Sequence, residues 1–89
     1  MEFEYNNEKS LINQKKHGID FEQAKLLWKD PERLEVPARS IEEQHYLIIG
    51  LINNIHWSAV VTYRNESIRL ISVRRARDEE VRLYESTHF

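Results

Sequence analysis

Residues 57–77 read Trp57-Ser-Ala-Val-Val-Thr-Tyr-Arg-Asn-Glu-Ser-Ile-Arg-Leu-Ile-Ser-Val-Arg-Arg-Ala-Arg77 and predict a β-hairpin. The first arm ends in Val60-Val61-Thr62-Tyr63, residues 64–67 form a polar turn, and residues 68–73 run back as the second arm. β-Branched and aromatic residues fill both arms, and the connection is short enough to join antiparallel neighbours. We expect the rest of the sheet to form around this hairpin.

Arginine is concentrated in the hairpin. Residues 57–77 carry five arginines and one glutamate, a net charge of +4, whereas the other 68 residues carry eight basic and fourteen acidic side chains. A cationic cluster on an otherwise acidic molecule is a local feature and indicates an anionic ligand. The five residues are Arg64, Arg69, Arg74, Arg75 and Arg77.

The composition is that of an ordinary globular protein, and 89 residues predict a single domain spanning 1–89. The absence of cysteine excludes disulfide scaffolds, thiolate metal sites and cysteine nucleophiles. The first residues lack the pattern of a signal peptide, and no apolar run approaches the ~20 residues of a membrane-spanning helix. The expectation is therefore a cytoplasmic protein with no membrane partner.

Two helices are predicted before the sheet. Asn6 or Asn7 can cap the first, which ends in the basic residues 15–17 before Gly18, a residue suited to the left-handed position. Asp20 and Gln23 form a capping-box pattern at the start of the second. This helix has one apolar stripe and ends before Pro31. The stripe consists of Phe21, Ala24, Leu27 and Trp28.

The remaining elements complete an α+β domain with a small antiparallel sheet of three or four strands. Residues 34–36 predict an edge strand limited by Pro37, residues 38–44 a loop, and residues 46–52 a central strand. Asn53-Asn54 is typical of a two-residue turn into the hairpin. Acidic residues 78–80 begin a C-terminal helix, in which Val81 and Tyr84 share a face.

The sequence offers no metal or cofactor motif, so the expectation is no metal and no cofactor. The four histidines (His17, His45, His56 and His88) lie far apart without ligand spacing, and neither a phosphate-binding glycine loop nor a nucleophile elbow is present. Arginine grips phosphate oxygens with a planar fork, and RNA supplies its own nucleophile, the 2′-hydroxyl. Candidate proton-transfer groups beside the cluster are His17, Tyr63, Glu66, Glu80 and Tyr84.

Two motifs resemble the BrnT family of toxins from type II toxin–antitoxin pairs. They are Lys16-His-Gly-Ile-Asp-Phe-Glu-Gln-Ala24 and Ile68-Arg-Leu-Ile-Ser-Val-Arg-Arg-Ala76, and the resemblance extends from Phe3 to about Glu85. It implies a fold similar to that of RelE-type ribonucleases and RNA cleavage without metal. It also implies neutralisation by a cognate antitoxin with a ribbon-helix-helix part, so that DNA is contacted only through the antitoxin.

The resemblance and the arginine chemistry together select the candidate site residues. Arg64 and Arg74 are expected to hold the scissile phosphate, and Arg75 or Arg77 a neighbouring one. Proton transfer is assigned to His17 and Tyr84, and Lys16 is assigned to RNA binding; the residues that match family motif positions are Lys16, His17, Arg64, Arg74, Arg75 and Tyr84.

Other interpretations of the same residues stay open. The arginines at 74–77 could pair with the acids at 78–80, Arg69 with Glu66, and His17 could serve only as a helix-terminal cation. Trp57 could stack on a base or contact a partner. At the level of function, the alternative is a nonenzymatic binding module that holds an acidic partner segment or nucleic acid. A DNA-binding regulator is disfavoured because the last helix begins with acids.

Overall fold

The computed structural model describes residues 2–39 and 41–87, which form a sheet of five strands, three α-helices and one 3₁₀ helix. His88, one of the four histidines considered above, lies outside the described residues. In chain order the elements are β1 (Glu2–Glu4), α1 (Asn7–His17), α2 (Phe21–Ala24), the 3₁₀ helix (Lys25–Lys29), β2 (Leu34–Ala38), β3 (His45–Ile52), β4 (Ile55–Arg64), β5 (Ser67–Arg75) and α3 (Asp78–Ser86).

The strand order is β1-β5-β4-β3-β2, and the predicted hairpin is the β4–β5 pair near its middle. The α+β class and the interior position of β3 are confirmed, but the prediction of three or four antiparallel strands is wrong. The sheet has five strands and is mixed, because β1 pairs in parallel with β5 and places Phe3 opposite Ile68. Three residues are too few to show a strand's alternation, so β1 had no signal in the sequence.

The caps of the first helix form as the sequence predicts. Asn6 Oδ1 accepts a hydrogen bond from the backbone N–H of Lys9 at 3.0 Å. Gly18 ends α1 in the left-handed region at φ 78°, and its N–H donates to the carbonyl of Gln14. The short link to α2 follows at once, which sets the angle between the two helices.

The second helical segment is only partly α-helical. Its capping box is confirmed, with Asp20 Oδ1 2.7 Å from the Gln23 N–H and Gln23 Oε1 3.0 Å from the Asp20 N–H. After Ala24 the chain tightens into the 3₁₀ helix, which corrects the prediction of one continuous helix. The tighter winding ends at Asp30, whose carboxylate accepts the Leu51 N–H of β3 at 2.9 Å.

The hydrophobic core lies between the sheet and the N-terminal helices. Side chains alternate along β4, so Trp57, Ala59 and Val61 face this core while Ser58 and Thr62 face the other way. We call the two sides the core face and the α3 face. The buried apolar side chains of the core face and the helices over it are Ile19, Phe21, Ala24, Leu27, Ile48, Trp57, Ala59, Val61, Ile68, Leu70 and Val73.

A buried asparagine joins α1 to the sheet. Strand β1 covers β5 only as far as Arg69, so Val73 lies beyond the edge strand. At Val73 the side-chain amide of Asn13 replaces the edge strand as the hydrogen-bond partner. Its Nδ2 donates to the Val73 carbonyl at 2.8 Å, and its Oδ1 accepts the Val73 N–H at 3.2 Å. The same Nδ2 donates to the carbonyl of Ile19 at 2.8 Å. This contact fixes α1 against the edge of β5.

Helix α3 packs on the opposite face, mainly through polar contacts. Its buried residues are Glu80 and Tyr84. Glu80 accepts a hydrogen bond from Ser58 Oγ at 2.9 Å, and the hydroxyl of Tyr84 donates to Asp30 at 2.7 Å. Among the described residues, no helix has the length and apolar character needed to cross a membrane.

Candidate nucleic-acid interface

Three arginines lie on the α3 face of the hairpin. Arg64 belongs to the same alternating set of β4 as Ser58 and Thr62, and the register pairs Thr62 with Arg69 and Ser58 with Arg74. Residues that pair directly across two strands share a face, so both β5 arginines point to the side of Arg64. We call Arg64, Arg69 and Arg74 the arginine row.

A shift in strand register keeps the row on one face. Val60 pairs with Ser72 and Val61 with Leu70, so Ile71 is an extra residue in β5. Without this β-bulge, the five-residue step from Arg69 to Arg74 would put the two side chains on opposite faces. Bulges of this kind re-aim side chains, and here the bulge aligns two cations.

The row is extended, which corrects the expectation that Arg64 and Arg74 meet at one phosphate. Arg74 is level with Ser58, and Arg64 lies six residues further along β4. At ~3.4 Å per residue, the two levels are roughly 20 Å apart along the strand. Arg69 lies between them, level with Thr62. The geometry therefore suits a chain of several phosphates.

Two members of the row form exposed ion pairs. Arg64 Nη2 lies 3.2 Å from Glu43 Oε1, with side chains 49% and 44% exposed. Arg69 lies 3.7 Å from Glu4, its partner in the β1–β5 register, with side chains 30% and 41% exposed. The ion-pair partner of Arg69 is thus Glu4, and not Glu66 as the sequence suggested. Exposed pairs contribute little free energy, so an incoming polyanion can displace both carboxylates.

The third member forms a far stronger pair. Arg74 Nη1 lies 2.8 Å from Glu80 Oε1 and Nη2 lies 2.9 Å from Oε2, with side chains only 23% and 11% exposed. Glu80 also accepts the backbone N–H of Arg77 and the hydroxyl of Ser58, each at 2.9 Å. The hydrogen bonds from Arg74 lower the pKa of Glu80 to about 2, and the same pair raises the pKa of Arg74.

Glu80 leaves one edge of the Arg74 guanidinium free. The third bond of this group runs from Nη1 to the carbonyl of Arg75 at 3.2 Å. A guanidinium has five N–H bonds, so Nε–H and the second Nη2 hydrogen stay without a partner among the described residues. These two donors lie side by side and match two oxygens of one phosphate. Glu80 therefore orients Arg74 without consuming its capacity to bind an anion.

The proton-transfer candidates His17 and Tyr84 lie on two different helices, at the end of α1 and on α3. His17 and its neighbour Lys16 end α1, which Asn13 holds against the edge of β5. Tyr84 is a buried residue of α3 with only 4% of its surface exposed, and its ring packs against that of His56. Burial, together with the hydrogen bond to Asp30, raises the pKa of the Tyr84 hydroxyl.

The other candidates are also dispersed. Tyr63 donates a hydrogen bond to Glu35 near the edge of the sheet, and burial raises the pKa of its hydroxyl. Glu66 lies exposed in the β4–β5 turn. Arg75 turns to the core face and lies over the ring of Trp57, with 5.6 Å between its guanidinium carbon and the ring centroid.

Trp57 and Arg77 settle two of the open interpretations. Trp57 is only 8% exposed and is covered by Arg75, so its ring offers no free surface for a base. Arg77 precedes α3 and binds Glu80 through its backbone N–H, which leaves its exposed side chain pointing away from that contact. The arginine segment therefore does form an ion pair with the acids of α3, and the two residues that form it are Arg74 and Glu80.

A titratable pair that the sequence analysis did not select lies next to the row. His56 is two residues before Ser58 on β4 and shares its face, and its Nε2 lies 2.8 Å from Glu85 Oε1. The imidazole side chain is 22% exposed and packs edge-on against the ring of Tyr84 at 5.3 Å. The alternation of side chains along the predicted strand could have placed His56 on the same face as Ser58. It could not have predicted that Glu85 contacts this histidine.

Comparison with known proteins identifies the family of this chain. The family model described as ribonuclease toxin, BrnT, of type II toxin–antitoxin system matches residues 5–80. The chain belongs to this family. A search of curated proteins gave no match. BrnT proteins are ribonuclease toxins with a cognate antitoxin, and the matched segment contains the whole arginine row together with Glu80 and His56.

No group of three or more histidine, aspartate or glutamate side chains within residues 2–39 and 41–87 is arranged to hold a metal ion. The side chains at the row supply guanidinium groups, hydroxyls and one imidazole–carboxylate pair. Those groups can bind phosphates and move protons.

Proposed function

We propose that this protein is a cytoplasmic endoribonuclease toxin that cleaves RNA without metal and is neutralised by an antitoxin of the ribbon-helix-helix type. The observation that supports this most directly is the arginine row on one face of the sheet, in a chain of the BrnT family. Three cations spread over roughly 20 Å suit the backbone of a single strand better than a small anion.

The scissile phosphate lies at the Arg74 end of the row in this proposal. Arg74 offers a free two-donor edge there, and Glu80 fixes its orientation in advance. Preorganised donors stabilise the negative charge that develops on the phosphate in the transition state. Arg64 and Arg69 hold phosphates further along the strand and supply affinity, because a polyanion displaces their exposed carboxylates.

Proton transfer is assigned to the His56–Glu85 pair. The 2′-hydroxyl loses its proton to a base and its oxygen attacks phosphorus, while the bond from phosphorus to the 5′-oxygen breaks and that oxygen gains a proton. The products are a 2′,3′-cyclic phosphate and a 5′-hydroxyl end. His56 lies on the correct face, and Glu85 orients its imidazole through Nε2. Of the two groups selected from the sequence, Tyr84 packs against the His56 ring and His17 lies at the end of α1.

The test is incubation of purified protein with labelled RNA, followed by identification of the new ends. Cleavage that yields 2′,3′-cyclic phosphate and 5′-hydroxyl ends supports the proposal. RNA that stays intact at stoichiometric amounts of protein favours the nonenzymatic binding module. The structural argument for that alternative is that each arginine of the row already pairs with a carboxylate.

A further inference from the structure

Helix α1 buries polar side chains and exposes aliphatic ones, the reverse of the usual pattern. It buries Ser10 and Asn13, at 8% and 6% exposure, and leaves Leu11 and Ile12 exposed at 65% and 61%. The buried side is explained by hydrogen bonds, since Ser10 Oγ accepts the Phe21 N–H at 2.9 Å and Asn13 binds Val73. Nothing inside the described fold explains the exposed aliphatic pair. Adjacent apolar side chains on an outer helix face mark a surface for binding.

Three lysines flank this pair, and Glu8 lies one turn before it. Lys15 lies four residues after Leu11 and Lys16 four residues after Ile12, so each lies one turn from an aliphatic side chain on the same face. Lys9 lies three residues before Ile12 and extends the cationic frame. No described residue forms an ion pair with any of these three lysines. We call this surface the α1 outer face.

From this surface we infer that the α1 outer face is the anchor site of the protein partner, an antitoxin segment that presents apolar side chains flanked by carboxylates. The inference rests on the proposed function for the identity of the partner, and it adds where the partner binds and by what chemistry. Apolar contact with Leu11 and Ile12 provides the centre, and carboxylates at the lysines provide the rim.

RNA and a second copy of the chain fit this face less well. Single-stranded RNA is held by cations interleaved with aromatic rings, and the exposed residues of α1 include no aromatic side chain. A two-fold contact between two copies would bring the same lysines together across the interface and repel them. An acidic protein segment satisfies both the apolar pair and the charge.

The α1 outer face and the arginine row belong to different elements, since Leu11 and Ile12 lie on α1 and the three arginines of the row lie on β4 and β5. A partner held at α1 therefore does not compete with RNA at its anchor, and only a second part of the same partner, tethered by the first, covers the row. Tethering raises the local concentration of that second part without any new contact. Anchoring and inhibition are thus separable by mutation.

The experiment uses purified, labelled protein from the reading frame that adjoins this gene, titrated with toxin and followed by fluorescence anisotropy. The test variants are Leu11→Glu combined with Ile12→Glu, and Lys15→Glu alone, all at exposed positions of a helix that tolerates glutamate. Leu26→Glu is the matched control, since Leu26 is also an exposed leucine, at 41%, on the neighbouring helical segment.

We expect the double variant to weaken partner binding by about thirtyfold or more, as loss of a central contact does. Lys15→Glu should weaken it less and lower its salt dependence, and Leu26→Glu should bind as the parent does. RNA cleavage by the double variant should stay parental. If cleavage is absent in the parent but the double variant still loses partner binding, the proposed function fails and the anchor site stands.

Three results would overturn the inference. The first is partner affinity unchanged in the double variant, or no binding by the parent itself. The second is a loss of RNA affinity in the double variant, which would assign the face to RNA. The third is a parent dimer in sedimentation that the double variant converts to monomer, which would assign the face to a second copy.

Discussion

The guanidinium of Arg74 and the carboxylate of Glu80 meet end-on in a two-bond pair, at 2.8 and 2.9 Å. This pair joins the last strand of the hairpin to α3, six residues later in the chain. It also leaves the Nε–H and one Nη2 hydrogen of the arginine without a partner among the described residues. One ion pair therefore both holds the C-terminal helix in place and orients the cation that we assign to the scissile phosphate.

Glu80→Gln should destabilise the protein by roughly 2–3 kcal/mol near pH 7, as expected for a carboxylate whose folded-state pKa is about 2. Because the pKa is lower in the folded state, the stabilisation is present above the unfolded-state pKa and is lost as the pH falls towards 2. Urea unfolding of the parent should thus lose stability between about pH 5 and 2. The variant should lose less over that range, and equal losses in both proteins would contradict the account.

The link between α1 and α2 should be sensitive to two single substitutions. Gly18→Ala adds a Cβ at φ 78°, and Asp20→Ala removes the carboxylate that accepts the Gln23 N–H. Each should lower the free energy of unfolding by about 1 kcal/mol. Lys15→Ala on the exposed side of α1 is the control and should be neutral. Unchanged unfolding midpoints in both test variants would refute the cap assignments.

His56→Gln should lower the single-turnover cleavage rate by about 10²- to 10⁴-fold, the usual contribution of a general acid or base. The part of the pH–rate profile that depends on an imidazole should disappear with it. His17→Gln is the matched comparison and should keep the parental rate, because His17 lies at the end of α1 and not on β4 or β5, which carry the row. The reverse result would return proton transfer to His17.

Cleavage should persist in excess chelator, since the row works through guanidinium groups and a histidine. The measurement is the rate after chelation together with the chemistry of the new ends. Loss of activity that a divalent ion restores, with 5′-phosphate ends, would replace the mechanism and leave the fold intact.

Local signals predicted most of the fold. The caps at Asn6, Gly18 and Asp20 and the turn at Asn53-Asn54 each depend on a few adjacent residues, so the sequence contains them in full. Strand β1 escaped prediction because three residues carry no periodicity. The 3₁₀ winding after Ala24 escaped because it depends on where Asp30 meets β3.

The candidate site was harder to predict, for a physical reason. Arginine composition pointed to the hairpin, but the face of each side chain depends on the bulge at Ile71, which no local pattern reveals. The partner of Arg69 lies in β1, and the partner of His56 lies in α3, 29 residues away in the chain. Contacts of this range arise from tertiary packing. The cations could therefore be identified from the sequence, but their partners and relative positions could not.

The most direct test of the arginine row asks whether its arginines take part in catalysis or only attract RNA electrostatically. It measures the single-turnover cleavage rate and, by filter binding, the RNA affinity of lysine variants. Arg74→Lys keeps the charge but loses the two-donor edge, so RNA affinity should change little while the rate falls about ten- to a thousandfold. Arg64→Lys and Arg69→Lys should affect the rate much less, and Arg82→Lys, an exposed arginine of α3, is the control. Circular dichroism checks that each variant is folded. A parental cleavage rate in folded Arg74→Lys would contradict the assignment of Arg74 to the scissile phosphate.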